Sequence, residues 1–530
     1  MNYRDLLKEN GYDGIPMLIK IGDEYVELSK EYAQDEAMDY KVLSTDHPAG
    51  NRAYERSICF LLIRAVHAID PDARVTIEHS ISRGLFCELE GMEVSTHTLT
   101  LLKEEMAKLV KRDLPFLPKQ VKKGEAIRIF TEIGHEEVAR LFRTAEFESI
   151  KLYELDGLTG FFYGPLAAST GDLNLFDLIP YKTGLVLMYP SQTIPNRVPD
   201  FYTQEKLYEI FRETGHWDSI LGIDTLADLN QIIMEGGEKR IISVAEGLHE
   251  KKYAAVADAI KKKGDVRIVL IAGPSSSGKT TSSKRLSIQM QVNGMKPYPI
   301  EMDNYFVDRA KSPLLPDGSL DFESIHAIDL DRFNEDIRRL MKGETVIPPV
   351  FDFMQGLSLP GHTPLTIPED GIMIIEGIHG LNPTLLEDIE GRYKFRLYVS
   401  ALTQLNMDRH NRISTTDVRK IRRIVRDHRR RGWLPEETLE QFEKVRKGEK
   451  EYIFPYQELA DEMFNSTLVY ELAVLKKHAL PLLLNIKKES PAYDESRRLV
   501  AMLNFVQDLP DDLIPANSIL REFIGGSFFD

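Results

Sequence analysis

Cysteine is almost missing from this chain: Cys59 and Cys87 are the only two in 530 residues. Two thiols supply neither a disulfide framework nor a zinc ligand set, and they suit a reducing compartment. Long apolar runs are missing too. The stretch 268–272 is typical and far too short to span a bilayer. The opening Met1-Asn2-Tyr3-Arg4-Asp5 carries charge where the apolar part of a secretory signal would begin. Positive charge is in deficit, with 67 Lys and Arg against 83 Asp and Glu and a net charge of −16. The surface as a whole therefore does not attract nucleic acid or anionic lipid; only a local basic patch would. Repeats and low-complexity segments are absent as well, which excludes solenoids and long disordered tracts. A cytoplasmic protein with no membrane partner is expected.

What remains is the composition of a globular protein, 42% hydrophobic and 28% charged. The length suggests roughly two to four domains. Residues 17–28 read as a hairpin turning at Gly22-Asp23. Helices are expected over 53–69 and 98–112, short strands over 75–79 and 85–89, and sheet with turns over 152–189. Residues 226–263 read as helix broken at Gly236-Gly237, ending in Lys261-Lys262-Lys263-Gly264, a basic last turn and a stop glycine. The main domain boundary is placed there. Beyond it strands and helices alternate: strand 266–272, helix 282–293, and buried strands 373–375 and 395–399. That pattern predicts a doubly wound parallel sheet.

Between the first of these strands and its helix lies Gly273-Pro274-Ser275-Ser276-Ser277-Gly278-Lys279-Thr280, a complete phosphate-binding loop. Its glycines let successive N–H groups converge on phosphate oxygens, and the next helix aims its positive end at the same anion. Gly273, Ser275, Ser276, Ser277, Gly278 and Thr281 are expected to cradle ATP. Lys279 would reach the outer phosphates and Thr280 would bind Mg²⁺. There is no Asn-Lys-x-Asp sequence to read guanine.

Further residues supply chemistry. Asp303, in Asp303-Asn304-Tyr305-Phe306 after a strand over 298–302, could accept a proton from an attacking hydroxyl. Pro348-Pro349-Val350-Phe351-Asp352-Phe353 sets two aromatics around an acid, as a flat ring with a polar edge requires. Glu376 ends a buried strand, where it could hold Mg²⁺ or its water. Residues 419–431 hold eight Lys or Arg in thirteen positions, at helical spacing, as a lid over a triphosphate would need.

With Asp321-Phe322-Glu323, Glu376-Gly377-Ile378 and the run to Gly432, these motifs resemble the uridine kinase and phosphoribulokinase family over about 266–484. Uridine-cytidine kinases are the nearest in pattern. The resemblance implies transfer of the γ-phosphate of ATP to the 5′-hydroxyl of a nucleoside, uridine or cytidine first. It makes Asp303 the general base and Lys279, Arg423 and Arg426 the groups acting on transferring charge. Thr280, Glu376 and Asp303 would form the magnesium set, and Tyr305, His326, Phe351, Phe353 and Arg423 would meet the acceptor. The acceptor side departs from the family. The ribose-binding acid falls at His326, a base-reading Tyr is Phe351, a base-contacting His falls at Gln355 or Gly356, and a lid Arg is Trp433. Two other readings stay open: a kinase of another hydroxyl acceptor such as a sugar phosphate, and an ATP-binding, RNA-associated regulatory protein.

In the first half, Asp46-His47-Pro48-x-Gly50, Tyr54-x-x-Ser57 and Gly164-Pro165-x-x-x-Ser169-Thr170-Gly171 resemble the TGS-type β-grasp module and editing domain of threonyl-tRNA synthetases. Positions of that editing pocket's His and Cys groups fall at Arg56, Phe60, Phe162 and Leu166, so no editing hydrolysis is expected. RNA or a regulatory small molecule is the candidate ligand of this half, and a homo-oligomer is expected. The resulting organisation is a β-grasp module over 1–49, an editing-domain-like α+β unit over 50–222, a helical linker over 223–264, an α/β P-loop kinase domain over 265–490 and a docking tail over 491–530.

Overall fold

The computed structural model describes every residue except 13, 33–39, 316–317, 353, 404 and 530. Its second half is built on a five-stranded sheet in which every pairing is parallel. The spatial order is Lys296–Glu301, Gly371–Glu376, Ile268–Ala272, Lys394–Ser400, Glu462–Asn465. The first strand in the chain is central, and the chain leaves it to opposite sides. In such sheets ligands bind beyond the strands' carboxyl ends, at the point where the order reverses.

The central strand, Ile-Val-Leu-Ile-Ala, is buried throughout. Its alternate side chains serve two faces, as the period of a strand requires. Ile268 and Leu270 pack with Phe333, Ile337 and Leu340 of the helix Leu330–Met341. Val269 and Ile271 pack with Leu286 and Met290 of the helix Lys279–Val292. Tyr253, Val256 and Ile260 of the helix Glu238–Lys263 join that second face. Each buried aliphatic contributes about 1.5–3 kcal/mol.

This last helix corrects the expectation of a linker over 223–264. The break at Gly236-Gly237 is present, between helices Leu226–Met234 and Glu238–Lys263. The second helix, however, is a structural layer of the α/β unit. Tyr253 hydrogen-bonds to Ser282 Oγ at 2.9 Å. Arg285, whose side chain is 2% exposed, pairs with Glu246 at 3.2 Å and Glu250 at 2.5 Å.

The first half contains three antiparallel sheets: Glu24–Glu27, Pro16–Ile21 and Tyr40–Ser44; Arg74–Ile81, Gly84–Glu90, Gly184–Met188 and Asp177–Tyr181; and Leu117–Lys122, Ser149–Leu155 and Leu158–Phe161. The hairpin expected at 17–28 is there, with Gly22 at φ 57°. The long helix Pro48–Ile69 starts five residues before the expected 53, because His47 caps it and Pro48 suits a first turn.

The two halves share one core. A single apolar cluster joins Phe130, Phe142 and Phe161 to Ile421, Leu475, Leu503 and Phe523. The segment before the arginine-rich helix is pinned to the first half: Asn411 Nδ2 donates to Phe161 O at 2.9 Å, and Asn406 Nδ2 donates to Ile77 O at 3.0 Å. The tail lies in the same core, with Ile519, Leu520 and Phe523 buried while Phe528 is 76% exposed. Among the described residues no helix is long and apolar enough to cross a membrane.

Replacing Arg285 by Ala strands Glu246 and Glu250 against the sheet. Breaking a buried pair in this way typically costs about 3–5 kcal/mol. Because Glu250 is partly exposed, a loss of about 3 kcal/mol is expected in urea unfolding. A loss below about 1 kcal/mol would show that the Glu238–Lys263 helix does not depend on this ion pair.

Candidate active site

The loop after the central strand is shaped by contacts that admit no side chain at its first glycine. A Cβ on Gly273 would lie 1.9 Å from Val399 O. Ser276 and Gly278 adopt φ of 60° and 82°, the alternation that turns successive N–H groups inward to form an anion nest. The hydroxyls of Ser276 and Ser277 are buried without a hydrogen-bond partner. Lys279 Nζ donates to Gly273 O at 2.9 Å and Pro274 O at 3.2 Å, folding back over its own loop. These features fit a phosphate group.

Thr280 Oγ1 donates to Glu376 Oε1 at 2.8 Å. Sheet register explains the meeting, since Glu376 pairs with Ile271, just before the loop, and with Glu301 on its other side. Burial pushes the Glu376 carboxyl up to about 7, against the pull of Lys279 and the Thr280 hydrogen bond. A hydroxyl beside a carboxylate is an oxygen set that suits Mg²⁺. Asp303 sits in the turn Met302–Tyr305 after the edge strand. Its side chain is exposed, yet desolvation by the surrounding protein, with the Glu301 charge, raises its carboxyl, and Lys279 and Arg431 oppose the shift. Among the described residues its carboxylate makes no hydrogen bond or ion pair, which leaves it available as a proton acceptor.

The helix Thr415–Arg431 is the arginine-rich segment. It is not the open lid expected from its charge, because its inward arginines are buried under the loop. Arg419 donates to Ser275 O at 2.9 Å and pairs with Glu449. Arg422 reaches Ser276 O at 3.4 Å and pairs with Glu471. Arg423 donates to Ser275 Oγ at 2.9 Å. Asp427, fully buried, gathers Arg423, Arg426 and Arg431 at 3.2, 2.9 and 3.4 Å. Three guanidinium groups on one carboxylate leave surplus positive charge beside the loop.

The expected acceptor residues divide. Phe351 packs on Phe306, ring centroids 5.5 Å apart, and its N–H donates to Asn304 Oδ1 at 3.4 Å, next to Asp303. It belongs to a hairpin, Val350–Asp352 with Leu357–Leu359. Phe353 lies outside the described residues. His326 is exposed on the turn Ile325–Ala327. Tyr305 is corrected: it is 1% exposed, its hydroxyl donates to Asp336 at 3.1 Å, and its ring packs edge-on against Phe333. It belongs to the core rather than to the cleft.

Three acids at the loop escaped the sequence reading of the site. Glu323 packs against Gly448 and is pushed up to about 8, first by burial and then by Glu449, against Arg423 and Lys279. Glu449 accepts from the Ser275 N–H at 2.9 Å. Glu522, from the tail, accepts from the Thr281 N–H at 3.2 Å and from its hydroxyl at 2.8 Å. Ile519 lies beside it, where a Cβ on Gly278 would be 2.4 Å from its Cδ1. Two carboxylates thus occupy donors of an anion-binding loop. A charge this far along the chain, 241 positions from Thr281, leaves no local signal.

The family model and the sequence relatives agree with this two-part organisation. Residues 268–472 match the model of the phosphoribulokinase/uridine kinase family. They form a kinase domain of that family. A uridine kinase of Halalkalibacterium halodurans is 29% identical over 195 residues, 37% of this chain and 83% of that one. The N-terminal part is similar to a threonine--tRNA ligase of Acidovorax sp. (strain JS42), 28% identical over 162 residues, 30% of this chain but only 25% of that one. Among solved structures, a putative fructose transport system kinase from Silicibacter sp. TM1040 is 19% identical, covers 40% of this chain and 98% of its own, and has a TM-score of 0.29.

Two outcomes follow from the acids. Glu522→Gln removes negative charge from the first turn of the loop helix, where a charge is worth on the order of 1 kcal/mol. ATP affinity, measured by calorimetry, should tighten several-fold; unchanged affinity would mean that the tail leaves when nucleotide binds at no cost. Glu323 gives a pH effect. With a carboxyl raised from 4.5 to about 8, the folded state holds a proton that the unfolded state has lost, so stability falls as pH rises across that window. Glu323→Gln should raise the melting temperature at pH 8 by about 2 °C or more, and should bring no gain near pH 4.5.

Proposed function

We propose that the protein transfers the γ-phosphate of ATP to the 5′-hydroxyl of a nucleoside, with uridine or cytidine favoured. The observation that carries this reading is Asp303: a carboxylate unpaired among the described residues, within electrostatic reach of Lys279 and near the Thr280–Glu376 pair. A binding-only ATP site has no use for such a base.

In this reading the loop N–H groups that Glu449 and Glu522 do not occupy and the Lys279 ammonium hold the triphosphate, once Lys279 has turned away from Gly273 O and Pro274 O. Asp303 takes the proton of the attacking hydroxyl at its carboxylate oxygen. Arg423 and Arg426, oriented by Asp427, face charge that builds on the transferring group, and Arg431 adds to them. Thr280 and Glu376 would hold Mg²⁺, which when bound neutralises phosphate charge. Phe351, on its hairpin against Phe306, forms a wall for a planar base. Without a tyrosine hydroxyl that wall discriminates less between bases than one with a polar reader.

The test is ADP release from Mg-ATP with a panel of nucleosides and sugar phosphates. A nucleoside should stimulate turnover, and Asp303→Asn should lower it by about 10²–10⁴-fold while ATP still binds. Stimulation by a sugar phosphate alone would move the assignment to that acceptor class. ATP binding without stimulation by anything in the panel would leave a nucleotide sensor.

A further inference from the structure

A second cavity, of about 520 Å³, lies away from the phosphate loop, between the first half of the chain and the helix Tyr493–Leu503. Volumes of this order hold small organic ligands. Phe161, Phe162 and Phe505 line its apolar part, and Phe147, Tyr163 and Tyr493 add aromatic surface.

One lining group stands out because its charge is unanswered. Arg56 projects from the helix Pro48–Ile69, and its guanidinium lies flat on the backbone at Gly164, where a Cβ would be 2.7 Å from Cζ. Its hydrogen bonds go to a single carbonyl, Pro165 O, at 3.2 and 2.7 Å. Among the described residues it forms no ion pair. Glu55, whose charge reaches it, is engaged by the Tyr189 hydroxyl at 2.6 Å. Arg52, one turn earlier on the same helix, also lines the cavity, and its like charge acts against Arg56. Arg52 has only a loose partner, Glu495 at 3.6 Å, which Lys420 and Arg498 share.

Of the remaining charges at this cavity, the exposed Glu146 lies on its rim, and the others are satisfied by protein. Lys151 pairs with Glu27 at 2.8 Å, Asp494 with Lys20, and Asp23 with Lys488 at 2.8 Å. Arg498 is held by Asp417 and Glu495, and Arg497 by the carbonyls that end the helix Glu471–Leu484. A desolvated guanidinium is costly unless an anion meets it, and the like charge of Arg52 one turn away adds to that cost. Guanidinium groups match phosphate oxygens in shape and charge, two of them better than one.

We infer that this cavity binds a small phosphate monoester carrying a planar ring, of mononucleotide size, with the phosphate on Arg56 and Arg52 and the ring among the aromatics. The inference stands apart from the kinase reading, because none of these residues belongs to the phosphate loop. The position also has a consequence for the loop. The helix bearing Tyr493 is ion-paired through Arg498 to Asp417, at the start of the arginine helix that holds Ser275 and Ser276.

The test is calorimetric titration of the full chain with uridine 5′-monophosphate and with phenyl phosphate. Wild type, Lys279→Ala, Arg56→Gln and Arg56→Lys are compared, each checked by its melting curve. At least one probe should bind Lys279→Ala as it binds wild type. Arg56→Gln should weaken it about tenfold or more, with partial rescue in Arg56→Lys. If Arg56→Gln does not fold, Arg52→Gln should give the same weakening. The proposal is overturned if binding vanishes with Lys279→Ala and ignores Arg56, or if neither probe binds at about 1 mM. It is equally overturned if only RNA binds in an Arg56-dependent way.

Discussion

Buried arginines beneath the phosphate loop set the geometry of the second half. Arg419 and Arg422 are almost wholly enclosed, each against a glutamate, Glu449 or Glu471, that is itself buried. A charge in such a place persists only when it is paired and its remaining donors are satisfied. The remaining donors here go to backbone oxygens of Ser275 and Ser276 and to Ser466. The same bonds that make burial tolerable therefore fix the loop from behind, and Glu449 holds the Ser275 N–H from that side as well. Removing either glutamate would leave an arginine uncompensated and the loop without its support.

This arrangement also ties the two halves of the chain together. The arginine helix opens with Asp417, bound to Arg498 of the helix that walls the second cavity. The segment before it is held to Phe161 O and Ile77 O of the first half. The tail returns to put Glu522 on the loop and to receive Arg429 on Phe523 O at 3.1 Å. The arginine helix and the tail, which both reach the loop, also have side chains in the shared core.

Much of the fold was legible in residue order. Ile-Val-Leu-Ile-Ala before a glycine-rich loop can hardly be other than a buried strand, and Met373 to Ile375 before Glu376 repeats the pattern. The strand Glu462–Asn465 was not legible, being four residues long, at the sheet edge and led by a charge. The helix Glu238–Lys263 was legible as a helix, but its charged sequence concealed that one stripe, Tyr253, Val256 and Ile260, covers the sheet. For the site, Lys279, Thr280, Asp303 and Glu376 could be proposed because each sits at the carboxyl end of a recognisable strand or in the loop itself. Tyr305 was misplaced because alternation along a short turn does not say which side faces the cleft.

What the sequence determined alone is the chemistry available: a phosphate-binding loop, carboxylates at strand ends, and a dense arginine helix. These are local matters, governed by spacing along one strand, turn or helix. Which arginines are buried supports and which face the cleft, that Glu449 and Glu522 occupy loop donors, and that Arg56 lines a cavity with no ion-pair partner among the described residues were decided by tertiary structure. Each depends on groups far apart in the chain meeting at low exposure, and the energy of a charge is set by what surrounds it in space rather than by its neighbours in sequence.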